Sequence, residues 1–219
     1  MRWLRRFFLI ITVALFCKNC ICSVYYVPTS SMSPTIVKGS YILVTKFDYQ
    51  FRSPSTLPFT NISIPVITLP GLAKPDRNDI VIFEKNNLSN SSHDVFLKRV
   101  VGIPRDRVWE TAEYSEVNGI VLKKPSYYSR AYDNLGKKNY SYQIPAKGKR
   151  IPASLFREGA INEHDGQVKV CYIASQNFYY MAGDNRKNSN DSRYWGLISE
   201  ENILGRVRMV LWPWPPRWL

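Results

Sequence analysis

Val95-Phe96-Leu97-Lys98-Arg99-Val100-Val101 is a run of β-branched and aromatic residues with two cations at its centre. Such residues fit a pleated, half-buried surface, so the run reads as a strand. Residues i and i+2 of a strand share a face, which groups Phe96, Lys98 and Val100 and sets an ammonium on an apolar face. Desolvation there disfavours the charged form and lowers the lysine pKa, the condition for a lysine to serve as a base. A lysine at a sheet edge with its head in water has the same sequence pattern.

Outward from this strand the chain repeats the theme. Tyr41 to Thr45, Ile80 to Glu84, Arg107 to Glu110, Val168 to Ala174, Phe178 to Met181 and Val207 to Trp212 are short β-like runs broken by Pro, Gly and Asn. Val117-Asn118-Gly119-Ile120-Val121-Leu122 predicts a hairpin, because Asn-Gly supplies the two positive-φ positions of a type I′ turn. No long amphipathic helix and no repeat of 20–50 residues appears after residue 27. The fold is therefore expected to be mainly β.

The chain has 219 residues, 45% of them hydrophobic, enough for one domain with a core plus an attached segment. A net charge of +13 suits an acidic partner, either nucleic acid or an anionic membrane. The basic residues are scattered and no nucleic-acid motif is present, so no nucleic-acid partner is expected. Only His93 and His164 are histidines, which excludes a His-rich metal site. Cys17, Cys20 and Cys22 crowd into one apolar stretch and Cys171 stands apart, a pattern of neither a disulfide framework nor a zinc finger.

Arg2, Arg5 and Arg6 precede an apolar run that begins at Phe7, is interrupted by Lys18 and Asn19, and resumes to Val27. A cleaved secretory signal would want a small-x-small exit where Phe16, Cys17 and Lys18 stand. A retained anchor over 7–27 would span about 31 Å, close to the ~30 Å of a bilayer core. A mid-span Lys18 would cost about 2.5–3.5 kcal/mol, reduced by snorkelling. The anchor is the preferred reading: a single pass, residues 1–6 in the cytoplasm by the arginines, and the rest outside.

Two further segments carry polar chemistry. Val27-Pro28-Thr29-Ser30-Ser31-Met32-Ser33-Pro34-Thr35-Ile36 is rich in hydroxyls and pinned by prolines; alone it reads as a juxtamembrane linker. Gly183-Asp184-Asn185-Arg186-Lys187-Asn188-Ser189-Asn190-Asp191-Ser192-Arg193-Tyr194-Trp195-Gly196 is dense in hydrogen-bonding groups between two strands, as a network that holds a site rigid would be.

With the Lys98 strand and its continuation to Asp106, these segments resemble the bacterial type I signal peptidases, over residues 24–110 and 178–212. The resemblance implies a membrane-bound serine endopeptidase that removes N-terminal signal peptides from exported preproteins at the inner membrane, without metal or cofactor. It implies Ser31 as nucleophile, Lys98 as general base and Ser189 as the residue that hydrogen-bonds and orients the lysine. Thr29 would help the Ser31 N–H form an oxyanion hole. Asp184, Asp191 and Arg193 would brace the site, the last two as a salt bridge. Val27, Met32, Ile36, Phe96 and Leu97 would form shallow pockets for small side chains at positions −1 and −3 of the signal peptide. The catalytic β core would occupy 28–110 and 178–212, with an inserted variable lobe at 111–177.

The sequence departs from the family pattern at Thr29-Ser30, Ser40, Asn78 and Arg105, the last two where glycine is common. The tail 213–219, with Trp214, Trp218 and three prolines, reads as an extended aromatic segment suited to the membrane interface; a staple on the barrel is the other reading. Among other hydrolases, Ser-x-x-Lys with Lys-Thr-Gly does not occur. A self-cleaving repressor protease would need a DNA-binding head, and a Cys171–His164 thiol site has only residue types to support it. The nearest alternative is a sister enzyme that matures conjugative pilin or one dedicated substrate.

Overall fold

The computed structural model describes residues 3, 5–7, 21–52, 67–86, 93–110, 115–122, 140–152 and 171–219. The large sheet is built from β1 (Cys22–Tyr26), β2 (Tyr41–Thr45), β5 (Ile80–Asn86), β6 (His93–Gly102), β13 (Phe178–Ala182), β14 (Ile198–Ser199) and β15 (Ile203–Trp212), with β16 (Arg217–Trp218). Its order is β1-β2-β15-β5-β6-β13-β14, with β16 on β15, all antiparallel. A second sheet joins β7 (Arg107–Glu110), β8 (Ser115–Val117), β9 (Ile120–Leu122) and β10 (Tyr140–Gln143) in the order β10-β7-β8-β9. Two ribbons complete the description, β3 (Gln50–Arg52) with β4 (Thr68–Pro70) and β11 (Arg150–Pro152) with β12 (Cys171–Ile173).

The strand pattern explains the layering. On β5, Ile80 and Ile82 pack with Val27, Met32, Ile36, Ile42 and Val207, while Val81 and Phe83 pack with Val100, Tyr179 and Met181 on the opposite face. A strand apolar on both faces belongs in the middle of a covered sheet, and β5 lies between β15 and β6. β13 alternates in the same way: Tyr179 and Met181 join the second cluster, and Tyr180 and Ala182 join Val101, Val108, Val117 and Ile144 in a third. That third cluster seats the smaller sheet on the large one.

The expected hairpin is present: Asn118 and Gly119 have φ of 53° and 84°, and Val117 faces Ile120. Three sequence expectations are corrected. Residues 22–26, read as the end of the span, form β1 and pair residue for residue with β2 from Cys22↔Thr45 to Tyr26↔Tyr41. A run of Val and Tyr after an apolar stretch continues a span by composition, but its free backbone groups find a strand partner. β7, placed with the catalytic core 28–110, pairs with β8 and β10 and belongs to the lobe. The tail is neither free nor packed as a core. β16 hydrogen-bonds to β15 and Leu219 N–H donates to Arg208 O (3.0 Å), yet Trp214 and Trp218 stay exposed.

Most of the proposed span, and residues 168–170 of the expected strand Val168 to Ala174, lie outside the described residues. Among the described residues no helix is long and apolar enough to cross a membrane. Asn78 and Arg105 have φ of 71° and 80°. Their backbone is left-handed, which is why glycine suits these two positions.

Candidate active site

Ser31 follows β1 in a tight turn. Val27 N–H donates to Ser40 O (2.9 Å) and Gly39 N–H to Val27 O (2.8 Å), tying the approach to the start of β2. Ser33 N–H to Ser30 O (3.0 Å) and Ile36 N–H to Met32 O (2.9 Å) then coil the chain. The coil turns Met32 and Ile36 into the core, where both are fully buried. The backbone beside Ser31 is clamped from the distant loop. Asn185 N–H donates to Ser31 O (2.9 Å), Asn185 Nδ2 to Ser30 O (3.1 Å) and Asn188 Nδ2 to Ser30 Oγ (2.8 Å).

Lys98 reaches this turn from β6, whose partner β5 sets Val81 opposite Lys98. Its Nζ lies 2.9 Å from Ser31 Oγ and donates to Leu97 O at 3.0 Å. Both side chains are buried, Lys98 at 4% and Ser31 at 6% exposure. Burial first, with Asp191 opposing and Arg193 assisting, lowers the Lys98 pKa to about 8. About a tenth of the amine is then uncharged at pH 7 and about half at pH 8, and 2.9 Å suits a hydroxyl donating to that amine. Thr29 Oγ1 is 3.3 Å from Ser31 Oγ.

The loop after β13 surrounds one carboxylate. Asp191, fully buried, accepts from Gly183 N–H (3.0 Å), Ser189 Oγ (2.8 Å), and Arg193 Nε (2.7 Å) and Nη2 (3.0 Å). Desolvation raises its pKa, but the Arg193 charge and the donated hydrogen bonds outweigh that and hold it below the usual carboxylate range. The short helix α1 (Ser192–Trp195) starts here, with Asp191 as its N-cap. Arg193 Nη2 also donates to Arg186 O (2.7 Å) and Ser189 O (3.1 Å), so one guanidinium closes the loop on itself. At Gly183 a Cβ would lie 2.2 Å from Ser189 Oγ and 2.7 Å from Ser31 O, so only glycine lets the loop approach the turn. Asp184 is held bidentately by Arg99 (2.8 and 2.6 Å), which fixes the loop to β6 one residue past the lysine.

Ser31 and Lys98 open onto a groove of about 990 Å³. Val27, Phe96 and Leu97 line it, with Tyr25, Tyr26, Val95 and Tyr194. Two expectations are corrected. Met32 and Ile36 do not line the groove; they back it from the core, because the coil after Ser31 turns them inward. Ser189 lines the groove but its hydroxyl donates to Asp191, and among the described residues Lys98 Nζ bonds Ser31 and Leu97.

The match to known proteins covers the whole site. The model of the signal peptidase, peptidase S26, family matches residues 1–212. The chain belongs to the signal peptidase I family. It is 31% identical to signal peptidase I of Pseudomonas fluorescens, over 96% of this chain and 72% of that one. It is 29% identical to the enzyme of Buchnera aphidicola subsp. Schizaphis graminum, over 85% and 66%. With the Aquifex aeolicus enzyme the identity is 28%, over 93% and 80%. The chain thus spans about two thirds to four fifths of the length of these relatives. A solved signal peptidase I from Enterococcus faecalis V583 overlays with a TM-score of 0.36 at 22% identity, across 62% of this chain and 98% of that one. The family assignment rests on the sequence matches.

The roles of Asn185, Asn188 and Arg99 are not legible in the sequence of this chain. Each sits in one of the three segments, but its partner is a backbone carbonyl, a hydroxyl or a carboxylate far along the chain, such as Ser30 at 155 and 158 positions' separation. The density of amides in the loop was the available signal; their targets had none.

Proposed function

We propose that this chain removes signal peptides from exported preproteins, with Ser31 as nucleophile and Lys98 as general base. The observation that carries the reading is the 2.9 Å approach of a buried, pKa-lowered Lys98 Nζ to Ser31 Oγ at the mouth of the groove. Uncharged Lys98 accepts the Ser31 proton as Oγ attacks the scissile carbonyl carbon. The resulting oxyanion accepts hydrogen bonds from Ser31 N–H and the Thr29 hydroxyl. The Lys98 ammonium then protonates the departing amine, the new N-terminus of the mature protein. In the second half Lys98 takes a proton from water as it attacks the acyl-enzyme carbonyl, then returns it to Ser31 Oγ as the acyl–Oγ bond breaks and frees the signal peptide as a carboxylic acid. Asp184, Asp191 and Arg193 keep the loop rigid, and Ser189 acts on Lys98 through Asp191.

The groove suits an extended peptide. β13 pairs with β6 only from Arg99 onward, so Val95 to Leu97 present one open edge, and β1 is an edge strand on the facing wall. An added strand would place small side chains at −1 and −3 against Val27, Phe96 and Leu97. The apolar segment ahead of β1 anchors the protein with the catalytic domain on the outer side of the inner membrane. Trp212 at the end of β15, with Trp214 and Trp218 on the tail fixed to that strand, is exposed, and the three rest in the headgroup region of an anionic bilayer. The test is cleavage of a preprotein with Ala at −1 and −3. The parent should release the mature chain, and folded Ser31→Ala and Lys98→Arg should not. Normal turnover by Ser31→Ala would overturn the reading.

A further inference from the structure

Glu110 ends β7 in the lobe sheet, opposite Ser115 of β8 and Tyr140 of β10, and is 1% exposed. Its Oε1 lies 3.5 Å from Arg186 Nε, and the Arg186 side chain is itself 9% exposed. Arg186 belongs to the catalytic loop: its Nη1 donates to Gly183 O, and its own carbonyl accepts from Arg193 Nη2 at 2.7 Å. Gly183 N–H and Arg193 both hold Asp191. One buried carboxylate of the lobe therefore lies at ion-pair distance from the guanidinium that donates to Gly183 O, on a residue whose backbone carbonyl accepts from Arg193.

Charge leads to the same place. Two guanidiniums, Arg186 and Arg193, act on Asp191, and both draw its pKa down. A single aspartate balances one of them. Glu110 supplies the second carboxylate beside Arg186, so the buried guanidiniums Arg186 and Arg193 are matched by two carboxylates, and Asp191 and Arg193 are the members of this set that act directly on Lys98. Among the described residues, Asp94 on its own strand and Lys187 on the loop line the groove with Lys98, and the neighbouring Arg99 is bound to Asp184.

We propose that Glu110 is a positioning residue of the cleavage reaction: through Arg186 it holds the Gly183–Arg193 loop against Ser31 and offsets the second guanidinium that acts on Asp191. The proposal rests on Ser31 and Lys98 as the reacting pair, and it gives the lobe a part in catalysis.

The test measures kcat, KM and the pH dependence of kcat/KM for preprotein cleavage by the full chain, its Glu110→Gln and Glu110→Asp variants, and the double variant Glu110→Gln with Arg186→Met. Ser31→Ala is the blank. Activity of the parent above the blank secures the reading of the reacting pair separately. Glu110→Gln should lose about tenfold in kcat with KM within about twofold, since it touches no substrate. Its acidic limb should move to lower pH, because an unbalanced guanidinium further disfavours the Lys98 ammonium. The double variant should bring that limb back to the parental position, and Glu110→Asp should keep it there. Parental kcat and limb in a folded Glu110→Gln overturn the proposal. So does a fall in kcat with an unmoved limb, or equal loss of folding in the Gln and Asp variants, either of which marks a structural role alone.

Discussion

The loop at 183–196 and the end of β6 each bury a cation within the same site, and they treat it in opposite ways. Arg193 is wrapped by Asp191 and two backbone carbonyls, an almost fully satisfied guanidinium. Lys98, equally buried, has no carboxylate within salt-bridge distance among the described residues; its contacts there are a hydroxyl and one carbonyl. Desolvation penalises both. The loop compensates the penalty and gains a fixed shape. β6 leaves it uncompensated, and the Lys98 proton becomes easy to lose. Rigidity and reactivity are thus built from one physical cost, answered in one place and left open in the other.

Exchanging the two cations' fates gives the largest effects. Lys98→Arg carries a charge that stays on at any working pH, and kcat/KM should fall by about 10⁴-fold or more, read from initial rates. Lys98→Met should be as inactive, yet melt at or above the parental temperature, because it deletes an uncompensated buried amine. Asp191→Asn should do the reverse of Lys98→Met. Stripping the carboxylate leaves Arg193 uncompensated, and urea unfolding should report a loss of about 3–5 kcal/mol. A destabilised Lys98→Met with an undisturbed Asp191→Asn would break the comparison.

The pH dependence of stability sharpens it. The folded-state pKa of Lys98, about 8, lies below its unfolded value of about 10.4. Below about pH 8 both states hold the proton, and the folded state bears the whole cost of the buried ammonium. Between the two pKa values only the unfolded chain holds it, so stability rises with pH across that window. Urea midpoints should therefore climb from about pH 8 toward 10 in the parent relative to Lys98→Met, and parallel curves would remove the basis for an uncharged lysine.

Smaller effects come from residues that act at one remove. Ser189→Ala takes one donor from Asp191 and leaves Arg193 in place; kcat should drop about tenfold with KM unchanged. A raised KM at parental kcat would place Ser189 in a substrate pocket instead. Arg105→Gly should be mildly stabilising, by less than about 1 kcal/mol, because relief of the left-handed backbone is partly offset by greater unfolded-chain freedom. A clear loss in the melting temperature would show that the Arg105 side chain contributes more than its backbone costs.

The sequence made the strands and the turn legible because their signals are local. β5 and β13 alternate apolar faces, and Asn118-Gly119 is a two-residue instruction. The strand neighbours of Lys98 set it on an apolar face but left a solvated sheet-edge lysine also open; only the resemblance of all three segments together singled out the buried base. What stayed hidden was decided by partners far along the chain. Met32 and Ile36 look like groove residues beside Ser31 until the coil to Ile36 turns them inward. β1 looks like more of the apolar segment until β2 pairs with it. Ser189 sits in a motif that names it without naming Asp191 as the recipient of its proton.

The central claim is that an uncharged Lys98 drives Ser31. The pH dependence of kcat/KM for cleavage of a signal-peptide substrate tests it most directly, from about pH 6 to 10, with the parent beside Lys98→Arg. The account predicts a parental rate that rises through a single proton loss near pH 8, where burial has brought the Lys98 pKa, and no cleavage by Lys98→Arg at any pH. A parental rate flat across that range, or an active Lys98→Arg, would contradict it.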